Sequence, residues 1–127
     1  MKIFFGVCNL IIPIIMIIIG VISMRDIPKD INSFAGYRTD RSMKNIDTWR
    51  FANRYCGQLW KKLGIYTLII SVICTVISFL LTIEVQSIVS LVLTVIQIII
   101  IIFSVYLVEK QLKNKFDENG HYKEGKK

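Results

Sequence analysis

Three stretches without a single Asp, Glu, Lys, Arg or His, at residues 3–24, 64–83 and 87–108, constrain this chain more than any other feature. They are 22, 20 and 22 residues long and occupy 64 of the 127 positions. As helices rising about 1.5 Å per residue they span roughly 30 to 33 Å, the thickness of a bilayer's hydrocarbon core. The fold class that follows is an all-α membrane protein, one membrane domain over residues 1–127, and a soluble enzyme or a secreted disulfide module is excluded. The first stretch exceeds the roughly 7 to 15 apolar residues of a signal peptide core. It also leaves through Ser23-Met24-Arg25-Asp26 with no small-x-small cleavage site, so a retained helix is expected.

The 16 Lys and Arg residues outnumber the 9 Asp and Glu, for a net charge of +7, and they are unevenly placed. Nine lie in the loop 25–62, six in the tail 109–127, and Lys2 alone precedes the first span. Positively charged short loops stay on the cytoplasmic side, which places the N-terminus outside and the loop and C-terminus inside a bacterial cell membrane. Glu84-Val85-Gln86 is then a short outer turn that makes the second and third spans antiparallel neighbours. The same basic face attracts anionic lipid headgroups. Direct nucleic-acid binding is not expected, because the loop's cations alternate with Asp26, Asp30, Asp40 and Asp47.

Each span carries one small or polar stripe. The first has Gly6, Asn9, Pro13, Met16, Gly20 and Ser23; the second Thr67, Ser71, Thr75, Ser78 and Thr82; the third Ser87, Ser90, Thr94, Gln97 and Ser104. Helices associate in lipid through close approach at small residues and through interhelical hydrogen bonds, so the stripes should face one another. Pro13, Thr75 and Gln97 fall near the bilayer midplane. Pro13 has no N–H for the Asn9 carbonyl, and Gln97 or a hydroxyl of the second helix is expected to supply a donor. This polar layer is either interhelical glue or the lining of a buried cavity. No ionisable residue sits within a span, which argues against an ion-coupled pump. Cys8, Cys56, Cys74 and the lone His121 form no metal-ligand spacing and no nucleophilic triad. Neither catalysis, cofactor nor metal is expected.

The loop 25–62 begins as an irregular connection, in which Pro28 stops the first helix and Gly36 permits a turn. A helix is expected from about 43 to 62, capped by Ser42 or Asp40. Met43, Ile46, Trp49, Asn53, Cys56, Trp60 and Leu63 recur at steps of three and four, with Lys44, Asp47, Arg50, Arg54, Gln58 and Lys61 largely opposite. That pattern fits an amphipathic helix in the headgroup region. Asn53 on the apolar stripe needs a hydrogen-bond partner, either the backbone of the 36–39 turn or Arg38. Turn and helix start form either a structural clamp or a small site for an anion or a peptide terminus.

At these residues the chain resembles a known family. Gly36-Tyr37-Arg38-Thr39, then Ser42-Met43-Lys44-Asn45, Asp47-Thr48-Trp49, Ala52-Asn53 and Gly57 resemble the signature of the SdpI family, over roughly residues 28–108. These are bacterial integral-membrane immunity proteins. The resemblance implies tolerance of a membrane-active toxic peptide through binding, with Gly36, Tyr37, Arg38, Thr39, Ser42, Lys44, Trp49 and Asn53 as the candidate binding residues. It also implies a signalling role, in which the inner loop holds a soluble repressor protein. The resemblance departs in length, since the best-known member has further membrane helices before the signature. The competing reading is a housekeeping membrane protein or an enzyme acting on lipid headgroups, with Arg38, Ser42 and Asn53 at a phosphate and Asp40 or Asp47 as base. Three short helices bury little surface, so a homo-oligomer is compatible with either task.

Overall fold

The computed structural model describes residues 2–25, 29, 31 and 36–123. Three helices account for most of them: α1 (Lys2–Arg25), α2 (Ile46–Phe79) and α3 (Ile83–Lys115). All three are long and apolar enough to cross a membrane. The irregular stretch expected around Pro28 lies largely outside the described residues.

Helix α1 buries Gly6, Asn9, Pro13, Met16 and Gly20, one face at steps of three and four. Helix α2 presents Thr67, Ser71, Thr75 and Ser78 to it. The two run antiparallel and meet most closely at glycines. A Cβ on Gly20 would lie 2.5 Å from the Lys61 amide nitrogen and 2.8 Å from the Gly57 carbonyl oxygen, so a larger residue here would push the helices apart. Apolar side chains elsewhere on the three helices, such as Ile3, Val76 and Ile102, point outward and are exposed as lipid-facing residues must be.

Three boundaries differ from the sequence reading. The amphipathic segment expected as a separate interfacial helix over 43–62 is the first half of α2, which continues unbroken through Gly64 to Phe79. No proline interrupts it, and Gly64 is used for packing: a Cβ there would meet the Ile17 side chain at 2.7 Å. The helix also starts later than expected. Its cap is Asn45, whose side chain accepts from the Thr48 amide while the Thr48 hydroxyl accepts from the Asn45 amide, a reciprocal capping box. The turn between α2 and α3 falls earlier, since Thr82 caps α3 and Glu84 belongs to its first turn. Gln86 is consequently helical and buried, where Ser87 was expected on the stripe.

At about 1.5 Å per residue, α2 and α3 are each roughly 50 Å long, well beyond the 30 Å hydrocarbon core. Their excess lies at the same end, the N-terminal half of α2 beside the C-terminal turns of α3. There Ala52 packs against Val108, Leu112 and Phe116, all nearly inaccessible, to form a compact head outside the apolar zone.

Candidate functional site

The head is closed by the turn that precedes α2. Gly36 has φ +100°, a conformation costly for any side chain, and a Cβ on it would lie 2.6 Å from Asn53 Oδ1 and 3.1 Å from the Trp49 ring. With the glycine seated there, the Tyr37 amide donates to Asn53 Oδ1 at 2.8 Å. Asn53 Nδ2 donates to the Trp49 carbonyl at 2.8 Å, so both ends of the buried amide are occupied. The partner of Asn53 is therefore the turn's backbone. Tyr37 then reaches α3, its hydroxyl donating to Glu109 Oε1 at 2.7 Å, while Arg41 Nε lies 3.6 Å from Glu109 Oε2. Burial, reinforced by the Glu109 carboxylate, pushes the Tyr37 phenol well above its ordinary pKa.

Thr39 and Ser42 lock the same turn. The Thr39 amide donates to Ser42 Oγ at 2.8 Å, the Ser42 amide donates to Thr39 Oγ1 at 3.2 Å, and Ser42 Oγ donates to the Tyr37 carbonyl at 2.9 Å. Ser42, expected with Asp40 as a candidate helix cap, is thus the fully buried centre of the turn. The polar groups of Ser42 and Asn53 are used within the fold, which leaves neither aimed at a phosphate. Trp49 is fully buried beneath them, and Arg38 and Lys44 lie exposed on the rim. The signature residues thus assemble a clasp joining turn, α2 and α3.

A second lock comes from residues that sequence reasoning left as a polar tail. Phe116 caps α3 and bridges to Tyr122, with ring centroids 4.6 Å apart. Between them the Asp117 carboxylate accepts from the amides of Asn119 at 2.9 Å and His121 at 3.0 Å, and these bonds, led by that from His121, hold its pKa below the usual carboxylate value. Asn45 Nδ2 donates to the Gly120 carbonyl at 2.6 Å, tying the tail to the start of α2. The signal was present in Asp117-Glu118-Asn119-Gly120, a turn sequence flanked by aromatics.

At membrane depth the expected donor for the Asn9 carbonyl is Gln97. Its Nε2 lies 2.9 Å from that oxygen and 3.0 Å from Ser71 Oγ, so one amide bridges all three helices. Asn9 Nδ2 donates to Thr75 Oγ1 at 3.0 Å, which places Pro13, Thr75 and Gln97 around one polar layer. Gln86 Nε2 donates to the Lys2 carbonyl at 3.2 Å, and Trp60 Nε1 donates to Ser104 Oγ at 2.9 Å. Four buried oxygens are left without a partner among the described residues: Asn9 Oδ1, Gln86 Oε1, Ser90 Oγ and Gln97 Oε1. All belong to α1 or α3.

The model of the SdpI/YfhL protein family matches residues 29–107, a stretch that contains the turn, α2 and most of α3 and ends two residues before Glu109. YfhL of Bacillus subtilis (strain 168), itself described as uncharacterized, is 37% identical over a region covering 54% of this chain and 76% of that protein. No solved structure matches the chain. The match takes in the turn 36–42, its anchors Trp49 and Asn53 and the faces that α2 and α3 turn to α1, and it covers more than half of the chain, which therefore belongs to the SdpI/YfhL protein family.

Proposed function

We propose that this protein gives a bacterial cell tolerance of a membrane-active toxic peptide by binding it within the membrane, without catalysis. In this reading the N-terminus faces outward and the head with its basic surface faces the cytoplasm, which the bias of Lys and Arg towards the loop and tail supports. One observation carries the binding reading: the buried oxygens without partners among the described residues all lie on α1 and α3, a seam with Asn9, Ser90 and Gln97 within the spans and Gln86 at their outer end. A buried acceptor without a donor costs about 1 to 3 kcal/mol. A peptide bringing N–H or O–H groups to Gln86, Ser90, Gln97 and Asn9 recovers that cost, and its apolar side chains meet the lipid-facing surfaces alongside. The outer ends of α1 and α3 are joined by the Gln86 bond to the Lys2 carbonyl, which an entering peptide has to displace. Arg38 and Lys44 lie exposed on the inner rim, the side that a soluble regulator meets in a signalling role.

The test is survival of a sensitive strain across a panel of membrane-active peptides, with and without this protein, and with Gln97→Leu and Arg38→Ala variants at equal membrane levels. Protection by the wild type that Gln97→Leu loses supports capture in the seam. Loss in Arg38→Ala alone moves the binding site to the turn, and no protection against any peptide overturns the tolerance reading. Asp40→Ala and Asp47→Ala should protect as well as the wild type, because binding needs no general base. Loss at either aspartate favours lipid-headgroup chemistry instead.

A further inference from the structure

Away from the clasp and the seam, cations outnumber carboxylates on one side of the head among the described residues. Arg50 and Arg54 stand one turn apart on α2, both exposed, across from Lys115 at the end of α3. With Phe51, Tyr55 and Tyr122 they line a cavity of about 390 Å³. Lys115 is held in place there, its ammonium 4.5 Å from the centre of the Phe51 ring and 5.8 Å from that of Tyr122. Among the described residues the ion pair is Arg41 with Glu109, and it lies elsewhere. The cavity wall therefore carries three positive charges against the single carboxylate of Asp47. Asp47 sits in the first turn of α2, where the helix's unpaired N–H groups already offset its charge.

Spacing along α2 sets the depth of this cavity. Arg54 and Arg50 precede Lys62 by eight and twelve residues, about 12 and 18 Å along the axis. Met24, the end of the first uncharged stretch, packs against Gly57, which puts Arg54 within the roughly 5 to 8 Å headgroup layer of that leaflet and Arg50, seven residues or about 10 Å on, at its outer edge. A terminal phosphate reaches the cavity, whether carried by a soluble molecule or by a headgroup that projects from the bilayer. Two guanidinium groups one turn apart suit such a group because each offers paired N–H donors to its oxygens.

We propose that this cavity is a binding site for a terminal phosphate, a phosphomonoester or pyrophosphate, gripped by Arg50, Arg54 and Lys115 with Tyr55 and Tyr122 beside the organic part. The site is independent of peptide tolerance. Calorimetric titration of inorganic pyrophosphate into the full-length protein in neutral detergent should show saturable binding that weakens about tenfold in Arg50→Gln and in Arg54→Gln. Both side chains are exposed, so both variants should fold, which circular dichroism checks. Lys110→Gln, an exposed cation of α3 outside the cavity, should bind as the wild type does. Repeating the titration in nanodiscs with and without phosphatidylinositol phosphate separates the sources. Pyrophosphate binding blocked by that lipid, or arginine-dependent binding of the lipid alone, identifies a projecting headgroup as the occupant; unblocked binding identifies a soluble one. No saturable binding of either probe, or binding indifferent to both arginines, overturns the proposal.

Discussion

Tyr37 shows how much of the head rests on single side chains, since its amide is held by α2 through Asn53 and its hydroxyl by α3 through Glu109. Gly36→Ala forces a Cβ into the Asn53 amide at an unfavourable φ and is expected to cost about 1 to 3 kcal/mol, read as a lower midpoint of unfolding in detergent. Tyr37→Phe keeps the ring and removes a hydrogen bond to a carboxylate, for a loss of about 1.5 kcal/mol. Its pH dependence has a definite sign. The folded state holds the phenolic proton more tightly than the unfolded state, whose ordinary value is 10.0. The hydroxyl's contribution is therefore intact below about pH 10 and is lost as pH rises further. The stability difference between wild type and Tyr37→Phe should be constant through neutral pH and shrink in alkali; a difference that grows there would refute the bond to Glu109. The need of Asn53 for a partner was legible in sequence, because a polar amide sat on an apolar stripe. That Glu109 takes the tyrosine hydroxyl was not, because 72 residues separate them and only helix packing brings them together.

Among the elements, the small and polar stripes foretold which faces meet, and α1 buries the face its stripe marked. In lipid those residues are the strongest basis for helix association, so their spacing carries tertiary information that apolar residues do not. Gln97→Leu removes the donor shared by the Asn9 carbonyl and Ser71 and should cost about 1 to 2 kcal/mol in an unfolding titration in mixed micelles. Gln97→Glu, ionised or not, should not restore the wild-type value, since the bridge uses the two N–H donors of one amide. The tail is the element that composition concealed. Phe116→Ala opens a cavity beneath Phe51 and Tyr122 and is expected to free residues 116–123, giving new tryptic cleavage at Lys113 and Lys115 while α1 stays intact. Unchanged cleavage would show that the Asn45 bond to Gly120 holds the tail alone. Helix boundaries were the least legible, because Ser42, Asp40 and Asn45 are all residues that cap well, and Asn45 holds the role while Ser42, expected there with Asp40, is used inside the turn.

For the whole molecule, the arrangement is a three-helix bundle in the bilayer with a folded head on one side. Orientation can be read with single cysteines in a background lacking Cys8, Cys56 and Cys74. Lys2→Cys should react with an impermeant maleimide in intact cells, and Asn114→Cys only after permeabilisation. The reverse pattern would place the head outside and end the case for an intracellular regulator. What the sequence alone determined is the class of solvent and the number of helices fit to cross a membrane, since uncharged runs of 20 or more residues match the thickness of a bilayer's core. It also determined the meeting faces, because small and polar residues recur at the helical period. Only the tertiary structure decided that the amphipathic segment and the second span are one helix, that the tail closes the head, and that three separated cations share one cavity. Each of these depends on contacts between residues distant in the chain, and no local period records which distant partner a side chain will find.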